Sequence, residues 1–236
     1  MKQFNLQLIE DLPKLKRVTV DGKRHYVGVD DELVVPYPSV TTVLSADRKQ
    51  QKALHEWRKR VGAETANKIS RQAAGRGTSV HQLIEDYIRG IESTGKIMPH
   101  IKDMFMRLQV VADESIDNIR LIEGLMYSHH LRCAGTVDMI AEFNGKLSVI
   151  DWKTSKKRKT RSRIYNYFKQ EAAYAVMFEE MTGQPVTQLV TVVTSEDGES
   201  QVFIEHRDEW IGEFIKLRDE YEQRREQGSL ELSSSA

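Results

Sequence analysis

The dipeptide Asn144-Gly145 constrains this chain more than any other pair of residues. It stands between two apolar runs, residues 133–143 and 146–152, and an Asn-Gly pair in that setting closes a two-residue hairpin because both positions accept positive φ. Phe143 then faces Lys146. Carried along the strands, the same register sets Asp138 opposite Asp151 and Thr136 opposite Lys153. Side-chain alternation puts Leu147, Val149, Asp151 and Lys153 on one face and the Trp152 side chain on the other.

Directly opposed side chains lie roughly 4.5–5.5 Å apart at Cβ, where like charges are destabilising. A divalent cation offsets that repulsion, and hard oxygen ligands favour Mg²⁺ or Mn²⁺. The competing reading is that Lys153 or another cation neutralises the pair, or that one aspartate lies at the surface. A lone Asp-x-Lys is more often a structural ion pair than an active site. The second aspartate in register is what favours the metal.

The whole-chain charge says nothing about a partner, since 35 Lys and Arg balance 35 Asp and Glu in 236 residues. The local pattern is different. KTSKKRKTRSR, from Lys153 to Arg163, holds no acid, and Lys156, Lys157, Arg158, Lys159, Arg161 and Arg163 follow directly on the carboxylate pair as a phosphate-tracking surface. A second basic stretch, RKQQKALHEWRKR (48–60), interleaves Trp57, which reads as core in preference to a base-stacking platform. Cys133 is the only cysteine, which excludes an internal disulfide and a cysteine-ligated zinc or iron–sulfur centre. The opening residues, MKQFNLQLIEDLPKLK, have neither a signal-peptide core nor a transit-peptide composition, and no apolar run reaches membrane-spanning length, so a cytoplasmic protein without membrane contact is expected.

The remaining pattern predicts a mixed sheet flanked by helices. A hairpin over 15–35 turns at Asp21-Gly22. Ser39 caps a short helix to about residue 44, and a polar helix over 48–73 carries Leu54 and Trp57 on one side. The glycines of AAGRGTS break the chain. A helix then starts at Ser79 with a Ser79–Gln82 capping box and an apolar face of Val80, Leu83, Ile84, Tyr87, Ile88 and Ile91. His81 and Glu85 lie one turn apart beside that face, both able to enter a cleft. A helix over 98–117 follows, then strands at 119–128, 133–143 and 146–152, a helix at 165–182, strands at 187–194 and 200–205, and a helix at 207–226. The division is an N-terminal hairpin (1–38), a helical arch or wall (39–118), a core (119–227) and a disordered tail (228–236).

GTVDMIAEFNGKLSVIDWKTSKK resembles the catalytic hairpin of the PD-(D/E)XK nuclease superfamily, and QEAAY (Gln170–Tyr174) resembles the QxxxY motif of its RecB-like branch. PSVTTVL, GRGTSVHQLIE, GKLSVIDWKTS and the closing helix occur in an order similar to the mitochondrial genome maintenance exonuclease family and its phage and bacterial relatives, over residues 36–226. The resemblance implies an α/β fold with a restriction-endonuclease-like mixed central sheet, an αβββαβ core. It implies that Asp138, Asp151, the Trp152 carbonyl and His81 bind one or two Mg²⁺ or Mn²⁺ ions. Lys153 is implied as the catalytic lysine that positions or deprotonates water and stabilises phosphate charge. Gln170 and Tyr174 are implied to orient Lys153 or the substrate, although packing alone accounts for Tyr174 almost as well, and Glu85 and Glu123 are auxiliary acids. The expected activity is that of a metal-dependent deoxyribonuclease, an exonuclease at single-stranded DNA ends. The alternatives are a structure-selective or restriction-type endonuclease and a non-catalytic nucleic-acid-binding module. One cysteine excludes the iron–sulfur subgroup, and the absence of a visible import presequence favours a phage or bacterial setting in DNA replication, recombination or repair.

Overall fold

The computed structural model describes residues 2–29, 33–93 and 95–234, with side chains through Gln227. Its centre is a five-stranded sheet of β4 (Ile116–Ser128), β5 (Cys133–Phe143), β6 (Lys146–Ser155), β7 (Gln188–Ser195) and β8 (Gly198–His206), in that spatial order. Only β6 and β7 run parallel; every other neighbouring pair is antiparallel. Parallel neighbours need a crossover, which α5 (Tyr165–Thr182) supplies before it stops at Gly183, whose φ of 71° takes the left-handed position past a helix end.

Both faces of the sheet are covered. On one side Val149 and Leu189 pack with Ala173, Met177 and Phe178 of α5, Phe214 and Leu217 of α6 (Arg207–Ser234), and Val40 and Val43 of α1 (Val40–Leu44). On the other, Ile150, Trp152, Val190 and Val192 pack with Ile84 of α3 (Ala63–Ile88) and Met104 and Leu108 of α4 (Pro99–Ser115). This is the expected three-layer α/β arrangement, with the strand and helix boundaries of 133–143 and 165–182 as predicted. The helix α6 continues to Ser234, into the segment whose composition predicted a disordered tail; propagating an existing helix costs far less than nucleating one.

Before the sheet, β1 (Leu15–Val20) and β2 (Lys23–Gly28) form the predicted hairpin, with Asp21 and Gly22 at φ 51° and 70°, and β3 (Tyr37–Pro38) adds a third strand. The first residues lie against β4: Gln7 N–H donates to Ile119 O at 2.8 Å, and Ile119 N–H to Asn5 O at 2.9 Å. No alternation signals this short pairing in the sequence.

The helices differ most from expectation. Ser39 caps α1 by accepting from Thr42 N at 3.0 Å, as predicted, a contact of about 1 kcal/mol. The next break, however, is at Gly62, at φ 85°, between α2 (Arg48–Val61) and α3. The helix α3 runs through Gly75 and Gly77, so Ser79 is interior and the capping box is not made; Gln82 donates instead to Asp86 at 2.9 Å. Interior glycines cost about 1 kcal/mol each relative to alanine. The apolar face from Val80 to Ile88, anchored on the sheet, nucleates the helix and carries it past them. Gly77 also lies where α3 meets β6: a Cβ there would stand 3.7 Å from Thr154 Oγ1.

The expectation that Trp57 is core is also corrected. No residue of α2 is buried, Leu54 is exposed and Trp57 half-buried, and Ala66 is the one buried residue in α3 before Val80. The helix α2 and the first half of α3 stand away from the sheet. Their base is fastened by the Tyr165 hydroxyl donating to Asp47, the α2 N-cap, at 3.1 Å, and by Asn166 donating to Gln50 at 2.9 Å.

Candidate active site

The β5–β6 hairpin follows the predicted register from Phe143↔Lys146 to Met139↔Ile150 and stops there. Asn144 and Gly145 both have positive φ, 51° and 75°, as a tight primed turn requires. One step further the strands part, so neither Asp138 and Asp151 nor Thr136 and Lys153 are ladder pairs. From Ser148 to Ser155 every β6 residue is paired with β7, and beyond Ile150 that is its only ladder partner. Into the gap Asp138 turns its carboxylate, and Oδ2 accepts from the Trp152 backbone N–H at 2.9 Å. Trp152 thus contributes its amide N–H, while its indole packs in the opposite layer as the alternation required.

The residue facing Asp138 comes from the other side. Pairs Ile122↔Met139 and Gly124↔Val137 bracket the position and set Glu123 opposite Asp138 across β4 and β5. Glu123 has φ 51°, a left-handed backbone inside a strand, which costs on the order of 1–3 kcal/mol and marks a position held by its surroundings. Its carboxyl is pushed up to about 7 by burial first, then by the charges of Asp138 and Glu85, with Arg89 acting in the opposite direction and Asp151 adding to the rise.

From α3, His81 Nδ1 comes within 3.6 Å of Asp138 Oδ2. His81, Glu123 and Asp138 each offer a ligand atom, and these atoms lie within 4.8 Å of one another. Two carboxylate oxygens and an imidazole nitrogen could hold a divalent cation of the Mg²⁺–Mn²⁺ class, with His81 and Asp138 half-buried and Glu123 exposed. Glu123, expected as an auxiliary acid, belongs to this group of three, whereas Glu85 is ion-paired with Arg89 at 2.9 Å and acts on it through its charge.

Asp151 stands outside that group of three. It is 2% exposed, its carboxylate is ion-paired with Lys153, and Gln170 Nε2 donates to its Oδ1 at 3.5 Å. Burial pushes Asp151 up to about 6, with Lys153 pulling down and Asp138 pushing up. Burial disfavours the Lys153 charge, but Asp151 and Asp138 outweigh it and hold the ammonium protonated well above the ordinary range.

Gln170 and Tyr174 meet on one face of α5. Burial, followed by the charges of Asp138 and Asp151, raises the Tyr174 phenol, while a hydrogen bond with Gln170 opposes the rise. The ring fills the space above Gly135, where a Cβ would sit 2.8 Å from Tyr174 Cε1. Gly135, Tyr167 and Glu171 escaped the sequence reading. Glu171 is fully buried on α5 and accepts from Thr191 Oγ1; its position among AAYAVMF was the available signal.

The basic run is only partly available to a ligand. Lys156, Lys157, Arg158 and Arg163 are exposed and Lys159 is half-buried. Arg161 is committed elsewhere: it pairs with Glu205 through both guanidinium edges and lies over the rings of Trp210 and Phe168 at 5.4 and 6.0 Å. The Arg158 and Lys159 backbone amides donate to Asp197 and Gln201, which wraps the run around the β7–β8 turn.

The PD-(D/E)XK nuclease superfamily model matches residues 107–229, which contain β4 to β8, α5 and most of α6. The chain belongs to the PD-(D/E)XK nuclease superfamily. Within that superfamily it is 27% identical to mitochondrial genome maintenance exonuclease 1 of Xenopus tropicalis over 128 residues, 52% of this chain and 37% of that protein. The Mus musculus protein of the same name is 27% identical over 166 residues, 65% of this chain and 49% of its own. The Homo sapiens protein is 27% identical over 129 residues, 52% and 38% respectively. The chain thus spans half or less of the length of these relatives. A solved structure from Eubacterium rectale aligns over 63% of this chain and 65% of its own at 12% identity with a TM-score of 0.45, too loose a likeness to add to the assignment. No helix among the described residues is long and apolar enough to cross a membrane.

Proposed function

We propose that this PD-(D/E)XK nuclease is a metal-dependent DNA exonuclease acting at single-stranded ends. The observation that carries the reading is the convergence of His81, Glu123 and Asp138 within 4.8 Å of one another beside the Lys153–Asp151 pair. Asp138, Glu123 and His81, with Asp151 at the margin, are the residues that would hold Mg²⁺ or Mn²⁺. Such an ion supplies Lewis acidity toward a phosphate oxygen and acidifies water. Asp138 is aimed by the Trp152 amide and Asp151 by Gln170, so neither carboxylate must reorganise on binding. Lys153, kept protonated by Asp151, meets charge as it develops on the scissile phosphate.

The setting of the site supports a single strand as substrate. Residues 119–227 form the nuclease core, and within residues 39–118 the helix α2 and the first half of α3 stand as an arch whose base is clamped to α5. The helix α2 is rich in Lys and Arg, with Leu54 and Trp57 on its surface, a combination that suits a phosphate backbone with unpaired bases. Lys156, Lys157, Arg158 and Arg163 extend the basic surface past the site. We place the activity in phage or bacterial DNA replication, recombination or repair, in the cytoplasm.

The test is cleavage of labelled single-stranded DNA with Mg²⁺ or Mn²⁺ and with EDTA, for the wild type, Asp138→Ala and Lys153→Ala. Cleavage that needs the metal and both residues supports the proposal. Binding without metal-dependent cleavage would leave a nucleic-acid-binding module as the reading.

A further inference from the structure

We propose that Tyr167, in the first turn of α5, is a positioning residue for Lys153: its aromatic face and the Asp151 carboxylate hold the ammonium between them. Lys153 Nζ lies 5.1 Å from the Tyr167 ring centroid and is ion-paired with Asp151. The proposal rests on the nuclease reading and assigns the part of the site that aims the lysine.

A lysine has a flexible four-carbon stem and three equivalent N–H donors, so one carboxylate fixes its charge but not its direction. The ring closes a second side. Cations are attracted to aromatic faces by the ring quadrupole, and more strongly where water is thinned out. Here the Lys153 side chain is only 19% exposed. Asp151 is also the partner that a bound cation would compete for, whereas the ring has no such competitor.

The neighbouring tyrosine shows what a different role looks like. Tyr165 uses its hydroxyl, which donates to Asp47 at 3.1 Å, and its ring lies under Lys49 and Lys169 at 5.7 and 4.8 Å. Tyr167 presents its ring face to Lys153, and its phenol interacts with the ammonium only through space. Two positions apart on α5, one tyrosine fastens the base of the arch and the other braces the catalytic lysine. The sequence signal is the tyrosine pair in IYNYFKQ, immediately before the QxxxY motif.

The test compares Y167F, which keeps the ring, with Y167L, which removes it, in the full chain with Mg²⁺. Y167F should hold kcat within about twofold and Y167L should lower kcat about tenfold with KM nearly unchanged. In the residual activity of K153M, Y167L should have no further effect, because the ring acts through the lysine. An equal loss in Y167F and Y167L, or the same loss in both backgrounds, would overturn the proposal while leaving the nuclease reading in place. An NMR measurement needs no activity: the Lys153 ε-methylene protons should be shifted upfield by the ring current in the wild type and Y167F and return on Y167L. An unshifted signal in the folded wild type overturns the proposed bracing. A shifted signal in a wild type that cleaves nothing removes the nuclease reading and the catalytic role together, with the ring still seated on the lysine.

Discussion

Glu123 and Asp138 face each other across β4 and β5, the first on a left-handed backbone at φ 51°, the second with its carboxylate fixed by the Trp152 amide at 2.9 Å. Two carboxylates so placed repel without a cation and chelate with one. Glu123→Gln should therefore have opposite effects in the two states. Without metal it should raise the melting temperature, by roughly 2–4 °C for each kcal/mol of repulsion removed in a chain of this size. With Mn²⁺ the metal-induced rise should shrink or vanish. Calorimetric titration and thermal melts, with and without Mn²⁺, check both signs.

Glu123 and Asp151 give a pH dependence in the metal-free protein. Glu123, with an ordinary value near 4.5, is raised to about 7, and Asp151, near 3.8, to about 6. The folded state therefore binds more protons than the unfolded chain between these limits, and stability falls as pH rises. The contribution is complete below about pH 4 and lost by the time pH has passed 7. Chemical denaturation from pH 5 to 8 in EDTA should show this decline, and Glu123→Gln should flatten it.

Gly135 and Tyr174 are matched in size, since a Cβ at 135 would come within 2.8 Å of the Tyr174 ring. Gly135→Ala should cost about 1–3 kcal/mol by overpacking and lower activity by moving Tyr174, and with it Gln170, from Asp151. Tyr174→Leu in the Gly135→Ala background should recover part of the stability and none of the activity. Denaturant melts and turnover, measured on the same preparations, separate the two.

Arg161 and the pair Lys156 and Lys157 should separate stability from DNA affinity. Arg161→Ala should lower the melting temperature and leave the salt dependence of single-strand binding in place, because its charge is spent on Glu205. Lys156→Ala with Lys157→Ala should do the reverse, reducing the slope of log affinity against log salt by about 0.7 for each phosphate that the protein no longer neutralises. A titration series at several salt concentrations reads the slope directly.

The β5–β6 hairpin and α5 were legible because their signals are local: an Asn-Gly turn between apolar runs and a long apolar helix ending at Gly183. What the register could not convey is that it ends. Beyond Ile150 β6 keeps only its parallel partner β7, a pairing distant in sequence, and Asp138 accepts from the Trp152 amide in place of a ladder pair with Asp151. Glu123 was legible as an acid near the site but not as a member of the group with His81 and Asp138, because its exposure to Asp138 depends on a left-handed residue that no strand pattern predicts. The glycines at 75 and 77 misled for the converse reason: tertiary packing against β6 overrode a correct local preference for breaking a helix.

The central claim is that this cleft hydrolyses single-stranded DNA from its ends, and linear and circular forms of one single-stranded sequence test it most directly. With Mg²⁺ or Mn²⁺ the linear form should be degraded and the circle left intact, and neither should change in EDTA or with Asp138→Ala. A circle cut as fast as the linear strand would make the protein an endonuclease, and a linear strand untouched in the presence of metal would contradict the account altogether.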